Sequence, residues 1–331
     1  MSRRTTSAMI ASLVEQGQRT ERAPFGRALV ELADERPDVV GMTADLATYT
    51  DLHLFAEAHP DRYYQMGMAE QLLFGAAAGM ARVGAIPFVT TYAVFATRRA
   101  YDFIYLDIAE SALPVRIACA LPGLTSGYGP SHQAPDDLAL MRAVPNLVVV
   151  DPADAHELRQ VVSAIADHPG PVYLRLLRGE VPVFLDEHGY EFRLGRAQPL
   201  VTGGDVLICS TGLMTGRALR ATERLATDDV HATVLHVPTV KPLDTASVEA
   251  HARRHPRLVV AENHGRAGGL GEAICAELQE RGVDVPVLRI ALPDAFLDAG
   301  ALPTLHDRYG LSSERLAERI RTFVHDAADR S

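Results

Sequence analysis

The chain has 331 residues, 47% of them hydrophobic and 22% charged, so it can bury a large core and should form two domains of ordinary size. Its formal net charge of −10, without a recurring basic stripe, argues against a nucleic-acid or anionic-membrane surface, and no apolar stretch approaches the length of a membrane span. The cysteines, Cys119, Cys209 and Cys275, lie far apart and indicate buried thiols in a reducing compartment, so we expect a cytoplasmic protein.

In the first half of the chain, apolar β-rich runs alternate with helical patterns. Residues 1–20 are predicted to form a flexible N-terminal arm. The predicted strands are 39–43, 63–66, 88–91, 115–120, 147–150 and 172–177, and the predicted helices lie near 25–36, 69–83, 97–111, 136–143 and 154–167. This alternation predicts an α/β fold with a doubly wound, mainly parallel sheet over residues 21–185.

A polar stretch at 186–194 interrupts the pattern and is predicted to be a linker. A second, smaller α/β set follows over 195–327. Its predicted strands are 206–210, 233–237, 258–261 and 287–290, and its predicted helices lie near 214–226, 245–254, 270–281 and 313–326. The glycine-rich piece at 265–272 lacks the third glycine of a dinucleotide fingerprint, so we interpret it as a tight strand–helix turn.

The first candidate site residue is Glu70, at the head of a predicted helix. The residues after it, Leu72 to Met80, are apolar or small on every face, which predicts a helix buried all round. A carboxyl group there either complements the helix dipole or is aimed at a ligand. If it is buried, it needs a donor or its own proton.

Two segments near predicted strand ends favour the interpretation that Glu70 is aimed at a ligand. Asp45 follows the strand at 39–43, where ligand sites of open α/β sheets collect, although a turn or helix cap also explains an acid there. Tyr92 and Phe95 are three residues apart at a strand-to-helix junction, so they could close on one flat ligand or pack in the core.

A third segment is a loop rich in glycine and proline. It presents His132 and Gln133 and then enters a helix whose first turn holds Asp136 and Asp137. Polar loop groups of this kind often bind substrate. Ser131 beside His132 is no hydrolase dyad, because the nucleophile elbow is missing.

Several motifs occur together in this order: Thr-Ala-Asp-Leu, Gly-Met-Ala-Glu-Gln, Thr-Tyr-Ala-Val-Phe, Gly-Pro-Ser-His-Gln and Leu-Met-Arg-Ala-Val-Pro-Asn. In combination they resemble the transketolase family, over residues from about 22 to 325. The resemblance is to its pyrimidine-binding and C-terminal domains, in the form encoded as a separate small subunit. It implies a pyrimidine-binding domain over 21–185 and a C-terminal domain over 195–327.

The resemblance implies thiamine diphosphate as cofactor and transfer of a two-carbon ketol unit from a ketose to an aldehyde. Glu70 matches the catalytic glutamate that hydrogen-bonds the aminopyrimidine ring. Tyr92 and Phe95 match the aromatic positions that pack on that ring, and Asp45 and Arg98 are assigned to the same cofactor-binding set.

Substrate contacts follow from the same resemblance. His132 matches a catalytic histidine that hydrogen-bonds the sugar, and Arg22 and Arg178 match positions that hold the phosphate of a sugar phosphate. Arg22 is equally explained as a solvated side chain before a helix. Tyr128 replaces the acid that reads the hydroxyl beside the aldehyde, so the acceptor is not expected to be the ordinary pentose-phosphate pair.

The chain contains no Gly-Asp-Gly element with a following asparagine, which in this family holds magnesium and the diphosphate. No metal ligands are therefore expected in this chain, and Mg²⁺ is expected on a large partner subunit. Gly75 and Gly79 would permit close approach of that subunit to the Glu70 helix. The resemblance suggests two copies of each chain.

Two other functions stay open on the sequence alone. One is the beta subunit of the decarboxylating component of a 2-oxo acid dehydrogenase, which shares the fold and cofactor position. The other is a non-catalytic transketolase-like assembly module, since fold likeness alone never establishes chemistry.

Overall fold

The computed structural model describes residue 14 and residues 17–325, so most of the predicted N-terminal arm lies outside the described residues. In that part of the chain, no helix is long and apolar enough to cross a membrane. The architecture is α/β with two large sheets, which confirms the predicted fold class.

The first sheet has seven strands. They are β2 (Val39–Thr43), β3 (Tyr63–Gln65), β4 (Ile86–Tyr92), β5 (Arg116–Ala120), β6 (Val148–Val150), β7 (Val172–Leu176) and β12 (Thr239–Lys241). The order is β12-β6-β7-β5-β4-β2-β3, and every pair is parallel except β12 with β6. β2, β5 and β7 are buried along their whole length, as strands covered on both faces must be.

The helices of this half connect the parallel strands. They are α1 (Pro24–Glu35), α2 (His53–Ala58), α3 (Glu70–Arg82), α5 (Asp137–Ala143) and α6 (Ala155–Ala166). The predicted helix at 97–111 is irregular: Phe95–Arg99 and Ile104–Ala109 are π-helical, with one α turn, α4 (Tyr101–Phe103), between them. π-Helical turns are rare and occur frequently at functional sites.

The second sheet has five strands. They are β9 (Gln198–Val201), β10 (Val206–Ser210), β11 (Ala232–His236), β13 (Leu258–Gly265) and β14 (Val287–Leu292). The order is β14-β13-β10-β11-β9, parallel except for β9. Its helices are α7 (Leu213–Ala226), α8 (Thr245–Ala252), α9 (Leu270–Glu280), α10 (Leu302–Arg308) and α11 (Ser313–His325).

Two pairings connect distant parts of the chain. β1 (Thr20–Arg22) and β8 (Glu180–Pro182) form a separate antiparallel ribbon. β12 belongs by sequence to the second half, yet it completes the edge of the first sheet. Neither pairing was predicted from the sequence, because strands of three residues leave no periodic signal.

Helix α3 differs from its prediction on one face. Leu73, Phe74 and Ala77 are fully buried, but Leu72 is 57% exposed. Gly79 is exposed, and a Cβ added there would meet nothing within 4 Å. The prediction of a helix buried all round is therefore wrong for this face, which nothing in the described chain covers.

Candidate active site

The predicted site residues collect at one edge of the first sheet. Parallel strands end together, and the segments that carry Asp45, Glu70, Phe95, His132 and Arg178 follow β2, β3, β4, β5 and β7 respectively. This is the edge at which open α/β sheets bind ligands.

The backbone at this edge is unusual. Four residues have φ values from 50° to 60°, in the left-handed region that disfavours residues with a side chain: Ala23, Asp45, Asp51 and Leu121. They are most of the non-glycine positions with positive φ in the described chain. Such strain persists where the surrounding structure over-determines it, and it clusters at functional sites.

Glu70 is the first residue of α3 and is only 1% exposed. Its Oε2 accepts a hydrogen bond from Arg99 Nη1 at 2.8 Å. The Arg99 guanidinium also lies 4.5 Å from the centre of the Phe95 ring, a cation–π contact. Among the described residues, Arg99 is the side chain that compensates the buried acid, and sequence reasoning did not single it out.

Aromatic rings form a wall beside this acid. The ring centres of Tyr92 and Phe95 are 5.7 Å apart, and the His132 ring lies 6.2 Å from Tyr92, 5.6 Å from Phe95 and 5.4 Å from Tyr128. His132 Nδ1 is 2.9 Å from Ser131 Oγ. The structure thus brings together the three predicted aromatic positions and the predicted histidine.

The Tyr92 hydroxyl is buried without a hydrogen-bond partner among the described residues. Burial raises the pKa of Tyr92, so the phenol keeps its proton at neutral pH. Leaving such a group unpaired costs about 1–3 kcal/mol. An orphaned donor in this position indicates a ligand that accepts its hydrogen bond.

Arg98 points away from Glu70. Its Nε and Nη2 donate to the two carboxylate oxygens of Asp136, at 3.0 and 2.6 Å. The pair lines a cavity of about 450 Å³, together with Gln133 and the exposed Phe296. Arg98 therefore lies at the rim of the His132 loop, with no described contact to the Glu70 carboxylate.

Asp45 is exposed at the end of β2. Its backbone N–H donates to Gln65 Oε1 at 2.7 Å, and Gln65 Nε2 donates to Asp45 Oδ1 at 3.3 Å. This clasp fixes the left-handed backbone at Asp45, where φ is 59°. Asp45 therefore lies on the open rim of the site.

Arg22 and Arg178 are brought together by the ribbon of β1 and β8. Arg22 is opposite Glu180, and Ala23 N–H donates to Gly179 O at 2.7 Å. Gly179 N–H in turn donates to Asp51 Oδ2 at 2.8 Å.

Asp51 is 5% exposed, and burial raises its pKa against the opposing pull of Arg178, His53 and Arg22. His53 Nδ1 is buried and has no partner among the described residues. The structure thus adds His53 to the predicted pair of arginines. The position of His53 near these arginines could not be predicted from the sequence, because the β1–β8 ribbon joins residues that are far apart in the chain.

The glycine-rich turn before α9 is filled from within the chain. Glu262 accepts hydrogen bonds from Leu270 N–H at 2.6 Å and Gly271 N–H at 2.9 Å. A Cβ at Gly269 would lie 2.0 Å from Glu262 Oε2. The carboxylate thus takes the position that an anion would need, in keeping with the predicted strand–helix turn.

Comparison with known proteins covers both halves of the chain. Residues 18–183 match the family model "Transketolase, pyrimidine binding domain", and residues 195–316 match "Transketolase, C-terminal domain". A transketolase family protein of Sinorhizobium fredii, y4mN, is 60% identical over 98% of this chain and 94% of its own. The 6-deoxy-6-sulfo-D-fructose transketolase subunit SqwH of a Clostridium species is 37% identical over 91% of this chain and 92% of its own.

Among solved structures, a split gene transketolase described as an inactive beta4 tetramer superposes with a TM-score of 0.83. It is 40% identical, and the match covers 90% of this chain and 96% of that one. Curated 1-deoxy-D-xylulose-5-phosphate synthases also match, for example that of Dictyoglomus thermophilum at 35% identity over 91% of this chain but 49% of its own.

Proposed function

The chain belongs to the transketolase family, and from that premise we propose that it is the small subunit of a split, thiamine diphosphate-dependent transketolase. It transfers a two-carbon ketol unit from a ketose donor to an aldehyde acceptor, and it is active only with a partner subunit. The observation that carries the proposal is the buried Glu70 carboxylate beside an aromatic wall and an orphaned Tyr92 hydroxyl.

These residues fit the aminopyrimidine half of the cofactor. Phe95 and Tyr92 offer a flat apolar surface to a planar ring. Arg99 occupies Glu70 Oε2, so Oε1 is left to face a ring nitrogen. A carboxyl group at the head of a helix can share or hold a proton against that nitrogen.

The described residues do not fit the diphosphate half. They contain no group of three or more His, Cys, Asp or Glu side chains that could hold a metal ion. We therefore assign the diphosphate and Mg²⁺ to a large partner subunit. When bound, thiamine diphosphate supplies a carbon nucleophile and then an electron sink for carbon–carbon cleavage.

The residues of this chain bind and orient the sugar. His132 hydrogen-bonds a substrate hydroxyl from the loop after β5. Arg22, Arg178 and His53 hold a tetrahedral anionic group at the far end of the substrate, and a guanidinium fork suits such a group well. A sulfonate and a phosphate satisfy this site equally, and one relative is by name a sulfosugar transketolase subunit. The Tyr128 ring lies 5.4 Å from the His132 ring, at a tilt of 48°, and limits the space near the reacting carbon.

The exposed face of α3 is the proposed contact with the partner subunit. Leu72 on α3 is 57% exposed, Met68 and Val83 just outside the two ends of α3 are 80% and 85% exposed, and Gly79 leaves room for a close backbone. Gly75 is different, because a Cβ there would make an ordinary contact with Asp107 Oδ2 at 3.5 Å, so this position faces residues of the same chain. With one site per pair of unlike chains, we propose two copies of each.

The test is reconstitution. The chain is purified with the candidate large subunit, supplied with thiamine diphosphate and Mg²⁺, and screened against ketose donors and aldehyde acceptors by mass spectrometry. Glu70→Gln is expected to bind the partner normally but to lower turnover by at least about a hundredfold, the scale of lost acid–base assistance. Glu35→Gln, at an exposed position of α1, is the matched control and should keep full activity. Undiminished turnover in Glu70→Gln would remove this acid from the mechanism.

A second candidate function is formation of 1-deoxy-D-xylulose 5-phosphate, since synthases of that name are 35–37% identical to this chain. The same screen should therefore include 2-oxo acid donors. Release of CO₂ from a 2-oxo acid, without transfer from any ketose, would favour this function. The 2-oxo acid dehydrogenase alternative would in addition require a lipoyl acceptor.

A further inference from the structure

The loop that carries Tyr128 and His132 is closed at its base. Gly123 and Ala134 exchange backbone hydrogen bonds, each N–H donating to the other's carbonyl at 3.0 Å. The loop therefore behaves as one unit, and its position depends on what holds its outer part.

The second domain holds this loop along its length. Leu124 N–H donates to Asn263 Oδ1 at 2.9 Å, and His306 Nε2 donates to Leu124 O at 2.6 Å. Farther along, Gly300 N–H donates to Gly127 O at 2.9 Å. These partners come from β13, from α10 and from the segment before α10.

Gln133, next to His132, makes the last of these links. It is 1% exposed, and its Nε2 donates both to Ser126 O at 3.1 Å and to Asp298 O at 3.0 Å. One side-chain amide thus ties the two sides of the loop to each other and to the second domain. Its Oε1 is buried without a partner among the described residues, so the amide is held by its donors alone.

The segment on the other side of this link is itself fixed. Tyr309 O–H donates to Asp298 Oδ2 at 2.9 Å, Asp298 N–H donates to the same phenol oxygen at 2.9 Å, and Arg308 pairs with Asp298 Oδ2 at 2.5 Å. Gly129, with φ of +84°, lies beside Ala299, so that a Cβ at Gly129 would be in van der Waals contact with the Ala299 Cβ at 3.4 Å. The end of α10 therefore sets where the loop can lie.

We propose that the C-terminal domain positions His132 for catalysis, with Gln133 as the positioning residue and the Asp298–Tyr309 clasp as its support. The proposal rests on the proposed function, since it assumes that His132 contacts substrate. A displacement of about 1 Å in such a group is enough to slow a reaction severely. Tyr92 and Phe95 lie on β4 and the helix after it and pack against the His132 ring, but they make none of the hydrogen bonds that join the loop to the second domain.

The experiment uses two variants. Gln133→Met keeps the length of the side chain but removes both donors. Tyr309→Phe removes the two hydrogen bonds between the phenol oxygen and Asp298 without touching the loop. Gln160→Met is the matched control, because that amide bonds only within α6 and to Phe192 N–H among the described residues. Hydrogen exchange of residues 126–133 is measured in the whole chain, and kcat and KM are measured in the complex with the partner.

Both variants should accelerate exchange in 126–133 at least about fivefold, while exchange in β4 and β5 stays as in the wild type. In the complex they should lower kcat about tenfold, with thiamine diphosphate affinity unchanged. Unchanged exchange, or faster exchange without a fall in kcat, overturns the proposal. If Gln133→Met does not fold, Tyr309→Phe decides by the same criteria. If the wild-type complex is inactive, the proposed function fails, and exchange alone then decides whether the second domain holds the loop.

Discussion

At the scale of single residues, the site depends on one compensated charge. Glu70 is almost fully buried, and its described partner, Arg99, keeps 43% of its side chain exposed. Water already solvates the arginine, so the ion pair stabilises it little, whereas the buried carboxylate needs the ion pair to offset its lost solvation. An acid held in this way contributes to function at some cost to the stability of the isolated subunit.

This unequal pairing predicts a non-additive double-mutant cycle. Arg99→Met should lower the unfolding free energy of the isolated chain by about 1–2 kcal/mol, because it leaves a buried carboxylate unpaired. The cost stays this small because Arg99 is partly exposed and solvent weakens the ion pair. In a Glu70→Gln background the same change should cost less than about 0.5 kcal/mol. Urea unfolding of the four proteins measures both values. Equal costs in the two backgrounds would show that Arg99 does not compensate Glu70.

Two buried histidines make stability sensitive to acid. Burial lowers the pKa of His306 to about 3, with Arg217 adding to the effect, and burial lowers the pKa of His264 to about 4. Both stay neutral in the folded chain while the unfolded chain takes up a proton below about pH 6.5. The unfolded state thus binds more protons as the pH falls, and stability is lost between pH 6.5 and the folded pKa values.

The expected slope approaches about 1.4 kcal/mol per pH unit for each histidine. Urea unfolding at pH 7, 6, 5 and 4.5 measures this slope. His306→Gln should make the unfolding free energy fall less steeply as the pH is lowered. In NMR titrations the His306 ring should show no protonation above pH 5. A midpoint near 6.5 for that ring would contradict the assigned hydrogen bonds, in which Nδ1 accepts from Arg217 and Nε2 donates to Leu124 O.

At the scale of elements, the sequence predicted what depends on local pattern. The alternation of strands and helices, the buried strands and the helix that starts at Glu70 all follow from periodicity and composition. The placement of Asp45 and Tyr92 near strand ends also followed, because parallel strands end at one edge.

What could not be predicted depends on contacts between distant residues. β1 pairs with β8 across the whole first domain, and this pairing, with the hydrogen bonds of Gly179, brings Arg22 to Arg178 and Asp51. Arg98 and Arg99 are neighbours in sequence, yet the π-helical turn sends one to Asp136 and the other to Glu70. Arg98 was assigned to the cofactor-binding set from the sequence, whereas Arg99 contacts the acid in the structure.

The exposed face of α3 gives a prediction about assembly. Gly79 is open in this chain, so Gly79→Ala should leave the isolated subunit as stable or up to about 1 kcal/mol more stable, since alanine favours helix. Gly79→Glu should be tolerated equally well in isolation. In the complex, the larger side chain should weaken binding of the large subunit at least about tenfold, because it prevents close approach of the partner backbone.

Titration of the labelled partner, with urea unfolding of each variant, measures the two effects separately. Val287→Glu, at the partly exposed edge strand β14, is the control for an added charge at an apolar surface position. Wild-type affinity in Gly79→Glu would move the partner contact away from this face of α3.

At the scale of the whole molecule, the second half of the chain contributes a strand to the first sheet. β12 leaves the second half of the chain to pair with β6, and Asp151 N–H at the end of β6 donates to Pro238 O at 2.8 Å. Lys241 Nζ then donates to the carbonyls of Arg142 and Val144 at the end of α5. The lone lysine of the chain is thereby used as a helix cap.

A buried cluster joins the domains a second time. Glu157 on α6 accepts hydrogen bonds from Tyr190, which follows the first domain, and from His236 Nε2 on β11 at 2.9 Å. Thr215 Oγ1 lies 2.8 Å from His236 Nδ1 and extends the cluster into α7. All of these groups are nearly inaccessible to water, so each depends on the others.

This shared structure predicts that the two domains unfold together. Calorimetry of the isolated chain should show a single transition, because separating the domains would expose the edge of β6 and take the His236 donor away from the buried Glu157 carboxylate. Tyr190→Phe removes one donor to a buried carboxylate, which is worth about 1.5–3 kcal/mol, and should lower that single transition by a few degrees without splitting it. Tyr64→Phe, which alters a phenol that is 38% exposed on β3, should leave the transition in place. Two resolved peaks, of which Tyr190→Phe moves only one, would show instead that the domains are stable separately and that β12 and the Glu157 cluster hold them together only loosely.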